Sequence, residues 1–254
     1  MKASVFNYIR NNRRTGPGLC LKELELLKTL GVYRYKRFFP VVSIEKKNCR
    51  DATGIPYSAK DHYLTKALMQ GNKNRERIIN VLDEYFADMQ PENLFELFQE
   101  PRLESISRMP AIYFMNGMPW STKHRLTLAQ TNPDSLPRNY GPQDKTTIEN
   151  IADRLLQAAL ALETHGYKPW LFYDGFIRGY LLVDDSSLDY RFVITSGRHR
   201  FPGLYLDNSK RFIARLEWNN FLPIIRKSEV ELWPQVQSGL YTKNEARLLF
   251  EQYI

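Results

Sequence analysis

The chain has 254 residues, 43% of them apolar, and a formal net charge of +8; that length and apolar content suffice for a buried core and exclude a disordered polymer. No window approaches the roughly 18 consecutive apolar residues of a membrane-crossing helix, and the opening MKASVFNYIRNNRR lacks the apolar stretch of a secretory signal, so the expectation is a cytoplasmic protein. Two cysteines, Cys20 and Cys49, without CxxC spacing or a histidine cluster, support neither a disulfide framework nor a structural zinc site and read as isolated buried thiols.

The positive charge is concentrated at the start. Residues 1–50 hold 12 Lys or Arg against 3 Asp or Glu, a net of +9, and the remainder nets −1. Within this segment VYRYKRFFP at 32–40 interleaves aromatics with cations. It reads either as an edge strand with a solvated basic face or as a contact for nucleic acid or an anionic membrane.

Farther along, NRERIINVLDEYFADM at 74–89 puts Ile78, Ile79, Leu82, Tyr85, Phe86 and Met89 on one helical face. PENLFELFQE predicts a short helix with Pro91 in its first turn. Residues 101–142 read as a loop-rich connector, in which Pro119 and Trp120 either line a pocket or fill a seam between two parts of the chain. The expected division is a basic and mainly helical region over 1–139 followed by an α+β domain over 140–254.

The second region opens with the clearest helix, about 147–165, whose stripe runs through Ile148, Ile151, Ala152, Leu155, Leu156, Ala159 and Leu162. Thr146 with Glu149 has the spacing of a capping box, and Gly166 is placed to close the helix. KPWLFY reads as a strand, and GFIRGYLLVDD and YRFVITS as two strands of a hairpin around the turn region DDSSLD. A short helix, the strand RFIARLEW, and a last helix capped by Thr242 and Glu245 complete the series.

Chemistry concentrates where YRFVITS ends, in SGRHR. Gly197 permits positive φ and close approach of a ligand to the backbone. Arg198, His199 and Arg200 add two planar guanidinium forks and a directional donor able to move a proton, a set suited to phosphate oxygens. The nearest carboxylates in sequence are Asp174, Asp184, Asp185 and Asp189, any of which reads equally as a turn former. His62, His124 and His165 form no ligand spacing.

The residues Gly197, His199 and Arg200, with IRGYLL at 177–182 before them, resemble the GxHR signature of the ParB/sulfiredoxin-like superfamily. The block from Tyr140 to Glu217, carried by YGP, HGYKP, IRGYLL and YRFVITSGRHR, is similar to ParB-like domains encoded among bacterial surface-polysaccharide genes. The resemblance implies a mixed sheet with flanking helices and a loop that binds the phosphates of ATP, ADP or CTP, with Mg²⁺. Phosphate contacts fall to Gly197, Arg198, His199 and Arg200, and Asp174 and His199 are the catalytic candidates. The activity implied is a phosphotransferase or nucleotide hydrolase acting on a small molecule or glycan precursor. Arg198 stands where sulfiredoxin has its cysteine, and no second DNA-reading unit follows, so thiol chemistry and DNA segregation are not expected. FPGL replaces the alanine-rich helix that usually follows the motif, which predicts a helix shortened or shifted by Pro202 and Gly203. A different class remains open: a noncatalytic binding or regulatory module acting through residues 1–50.

Overall fold

The computed structural model describes residues 33–35, 39–58, 60–111, 117–122, 139–172, 174–187, 189–217 and 223–254. They form a mixed α+β fold around one sheet. In chain order the elements are β1 (Tyr33–Tyr35), β2 (Phe39–Glu45), β3 (Cys49–Arg50), α1 (Tyr63–Gly71), α2 (Arg75–Asp88), α3 (Leu94–Phe98), α4 (Lys145–His165), β4 (Arg178–Asp184), β5 (Asp189–Ser196), α5 (Arg200–Leu206), β6 (Arg211–Leu216), β7 (Ile224–Arg226), α6 (Pro234–Gln237) and α7 (Lys243–Glu251).

The strand order is β1-β2-β6-β4-β5-β3. β1–β2, β2–β6 and β4–β5 are antiparallel, while β6 and then β7 run parallel to β4 along the same edge of that strand. β3 runs parallel to β5. The edge-strand reading of 32–40 holds for Tyr33–Tyr35 alone, which form the edge strand β1; Phe39 and Pro40 already belong to its antiparallel neighbour β2, and residues 32 and 36–38 lie outside the described ones. The boundary expected between 139 and 140 is crossed by this sheet, because β2 pairs with β6 and β3 with β5.

Alternation in the strands explains the layers. Tyr180, Leu182 and Val193 turn to a core shared with Trp120, Trp233, Leu249 and Phe250. Leu181, Val183, Phe192 and Ile194 turn to the opposite core with Phe201, Phe212 and Ala214. A third core lies among α1, α2 and α4, where Leu64, Ile78, Leu82, Phe86, Ile151 and Leu155 are buried. Trp120 is a buried core side chain: its ring meets Trp233, Phe250 and Tyr253 edge-on, and its indole N–H donates to the Tyr180 hydroxyl at 3.1 Å.

Several local expectations are corrected. α4 starts at Lys145 because Asp144, not Thr146, caps it, accepting from the Thr147 N–H at 2.8 Å and its hydroxyl at 2.7 Å. Its closure at Gly166 is as expected, with φ +67° and the N–H bonded to the Leu162 carbonyl. Pro91 lies outside α3, which Asn93 caps. Within KPWLFY the described residues Lys168–Phe172 form no strand: Pro169–Leu171 is a 3₁₀ turn without a ladder partner among the described residues, consistent with a proline that fixes φ and removes a donor.

α5 is short, as expected, with seven residues, and it includes Pro202 and Gly203. Pro202 is the third helical residue, where an N–H has no intrahelical acceptor to lose. Gly203 is the contact point with α4: a Cβ there would sit 3.2 Å from Leu162 Cδ1 and 3.3 Å from the Ala159 Cα. The far end of α5 is held by the buried Lys46, whose ammonium donates to the carbonyls of Leu204 and Asp207. Burial lowers the Lys46 pKa despite the nearby Asp207 carboxylate.

Candidate functional site

Ser196 ends β5 opposite Arg178, at a register shift in β4, and Gly197 turns the chain into α5 with φ +90°. Its carbonyl accepts the N–H groups of Arg200 and Phe201 at 2.9 and 3.0 Å, closing the turn. A Cβ at this position would lie 2.9 Å from Ile177 Cγ1 and 3.2 Å from the Ile177 Cα. Strain and crowding act together here. Gly197→Ala is therefore expected to destabilise the protein by about 1–3 kcal/mol, read as a lowered urea midpoint; an unchanged midpoint would show that the turn needs no glycine.

The three side chains that follow diverge. Arg198 donates to the Asn139 side-chain carbonyl. Arg200 turns toward the segment before β4, donating to the carbonyls of Asp174 and Gly175, each at 2.6 Å, with Asp174 Oδ2 at 3.9 Å. It thus straps the 174–176 backbone to the start of α5. His199 lies between them, with Nε2 buried and lacking a hydrogen-bond partner among the described residues. Burial, followed by the charges of Arg198, Arg154 and Arg200, pushes its pKa down to about 3. Every charge that moves this imidazole is a cation, so the ring is neutral at pH 7 and the ground around it is electropositive.

Among the candidate carboxylates, only Asp174 reaches this place. It is exposed and ion-paired with Arg178 at 3.4 Å and more loosely with Arg200. Asp184 and Asp189 face each other at the opposite end of β4, six residues or about 20 Å from Arg178. There Asp184 accepts from Ser186, and Asp185 from Arg226 and Ser228, so both are structural turn residues, far from the loop.

Three residues the sequence does not single out join the site. Arg154 comes from α4 and acts on His199. Arg178 opens β4 and donates to Ser196 Oγ at 3.0 Å. Glu217 follows β6 and is only 12% exposed, with Oε2 3.3 Å from Thr195 Oγ1 and 4.0 Å from Arg178 Nε. The available signal for Glu217 was a lone carboxylate ending an alternating strand; its partner across the sheet follows only from the β4–β6 pairing.

Beside this loop a cleft of about 370 Å³ opens between the last turns of α4 and residues 166–175, with Ala158, Ala161, Leu162 and Phe172 on its walls and Asp174 and Arg200 at its polar side. His165 also lines it. His62 is instead buried, stacked on Tyr57 at 3.9 Å and 3.6 Å from Asp51 Oδ2. Cys49 is buried, and burial drives its thiol pKa well upward; Cys20 and His124 lie outside the described residues. No group of three His, Cys, Asp or Glu is placed to hold a metal among the described residues.

Fold and site together define a mixed α+β protein with a cation-rich turn at one end of its sheet. Comparison with protein-family models, with characterised proteins and with solved structures finds no match for the chain.

Proposed function

We propose that the Gly197–Arg200 loop binds the phosphates of a nucleotide, ATP, ADP or CTP, and that the protein is a phosphotransferase or nucleotide hydrolase of the ParB/sulfiredoxin-like class. A role in surface-polysaccharide assembly, on a glycan precursor, follows from the resemblance alone. The observation that carries the reading is His199: a buried, partnerless Nε2 whose charged neighbours are Arg198, Arg154 and Arg200. A phosphate placed there satisfies the nitrogen and offsets three positive charges at once.

The arrangement divides the work among residues. His199 and Arg154 contact phosphate oxygens with the backbone at Gly197, and Arg198 contributes charge from its bond to Asn139. Arg200 acts through the 174–176 backbone, setting the position of Asp174. That carboxylate orients the acceptor hydroxyl or water, since phosphoryl transfer rests on positioning and charge neutralisation. Asp174 would be the protein ligand of a Mg²⁺ accompanying the nucleotide, and the ion would supply further neutralisation of phosphate charge.

A ligand that binds only the folded state raises stability by RT ln(1 + [L]/Kd), about 2.7 kcal/mol at a hundredfold excess over Kd. ATP, ADP or CTP is therefore expected to raise the melting temperature of the wild-type protein, with His199→Ala and Arg154→Ala each losing most of the shift. Equal shifts in the variants, or no shift with any nucleotide with and without Mg²⁺, contradict the assignment.

A further inference from the structure

Over its last two turns α4 carries Ala158, Ala161 and Leu162, three and four residues apart and so on one face. Two of the three are alanines, and their short side chains leave room for the cleft of about 370 Å³ whose other side, residues 166–175, holds Pro169 and Phe172. That volume suits a small organic molecule. The polar groups around these walls are already engaged. The Leu162 carbonyl accepts from Gly166 N–H, the Lys168 carbonyl from Leu171 N–H and the Phe172 carbonyl from Gly175 N–H. The Tyr167 hydroxyl accepts from Ile177 N–H and donates to the Ile213 carbonyl, and the Asp174 and Gly175 carbonyls take the Arg200 donors. His165 and Lys168 also border the cleft, but both are exposed and keep their contact with water. A ligand with polar groups along its length would lose water here and find few partners.

The exception is Asp174. It lies on the polar side of the cleft with Arg200, the residue that follows His199. Its oxygens stand 3.4 Å from Arg178 and 3.9 Å from Arg200, and ion pairs of that length leave most of the roughly four acceptor sites of a carboxylate unused. The cleft therefore offers apolar walls, one acceptor for a hydroxyl, and a place beside the cation-rich loop.

We propose that this cleft is the acceptor subsite and binds an alcohol with an apolar body, whose hydroxyl donates to Asp174. The binding stands on the cleft, and the transfer rests on the nucleotide reading of the Gly197 loop. The alcohol oxygen forms the new P–O bond. The bond from that phosphorus to the bridging oxygen of the nucleotide breaks, its electron pair leaving with the shortened nucleotide, and the hydroxyl proton passes by way of Asp174 to water. A free sugar, with a hydroxyl on nearly every carbon, does not suit these walls.

The test follows the Ala158 and Ala161 methyl resonances of the full chain during titration with 1-butanol, 1-hexanol, 1-octanol, methyl heptyl ether and methyl glucoside. Alkanol affinity is expected to rise about fourfold per added CH₂. The ether, equal in size to 1-octanol but unable to donate, should bind roughly tenfold more weakly, and the glucoside should not bind. Ala161→Trp, which fills the cleft from an exposed helical position, should abolish alkanol binding and keep the nucleotide-induced melting shift. Phe172→Ser, a second exposed change, should weaken alkanol binding. Alkanol binding that survives both variants, an ether as tight as the alcohol, a glucoside that moves the same methyls, or no binding of any alkanol would overturn the assignment. So would loss of the nucleotide shift in Ala161→Trp, which gives the cleft to the base of the nucleotide. A wild-type chain that binds alkanols here but shows no nucleotide shift keeps the alcohol site and removes the transfer.

Discussion

Trp120→Ala is expected to cost about 3–5 kcal/mol of folding stability, the largest effect of any single substitution considered for this protein. The indole is buried where the C-terminal part of the chain meets the sheet, with three rings edge-on to it at 5.4–6.1 Å. Truncation removes those contacts, leaves a cavity that the flanking β4 and α7 are too regular to close, and takes the indole donor from the buried Tyr180 hydroxyl. Trp120→Phe keeps an aromatic ring and loses the N–H, so its cost should be smaller, about 1–3 kcal/mol. Urea unfolding read by fluorescence and by circular dichroism gives both values. A Trp120→Ala midpoint equal to that of the wild type would mean that residues 117–122 do not belong to the core.

The second large effect is an acid limb of stability governed by Glu245. Its carboxylate is buried, and burial alone would raise its pKa; hydrogen bonds from Arg108 and from the Thr242 N–H and hydroxyl outweigh this and hold it at about 2. The folded value is below the ordinary 4.5, so the unfolded chain takes up the proton first as pH falls. The stabilisation is complete above pH 4.5 and is lost as pH drops toward 2. The shift corresponds to about 3 kcal/mol, reduced to about 2 kcal/mol because Arg108 is half exposed and its charge screened. Stability curves of wild type and Glu245→Gln between pH 2 and pH 6 should converge at the acid end. Parallel curves would show that the capping carboxylate is not the titrating group.

That box was legible from Thr-x-x-Glu alone, because it is a local arrangement. The same holds for the stripe of α4 and for the β4–β5 hairpin, whose alternation survives intact in the register from Tyr180 to Ile194. The failures are also local, but they were decided by competition. Asp144 caps α4 ahead of Thr146, and Pro169 prevents KPWLFY from joining a ladder. Pro202 sits in the first turn of the short α5, where it costs no hydrogen bond, and Gly203 brings α5 onto α4. Half of the candidate site was visible in SGRHR. The remainder depends on tertiary pairing that no spacing encodes: Arg154 arrives with the packing of α4, and Glu217 meets Arg178 because β6 runs parallel to β4. For the same reason Asp184, close to the loop in sequence, is distant from it along the strand.

At the centre of the proposed function is a neutral imidazole held among guanidinium groups until an anion enters. The most direct measurement is the titration of His199 by NMR, with and without phosphate or nucleotide, assigned by loss of the signal in His199→Gln. Titration near pH 3 is expected in the free protein, far below the ordinary value of 6.5, with an upward move when the anion binds, because its charge offsets Arg198, Arg154 and Arg200. An ordinary His199 titration that phosphate and nucleotide leave unmoved would contradict it.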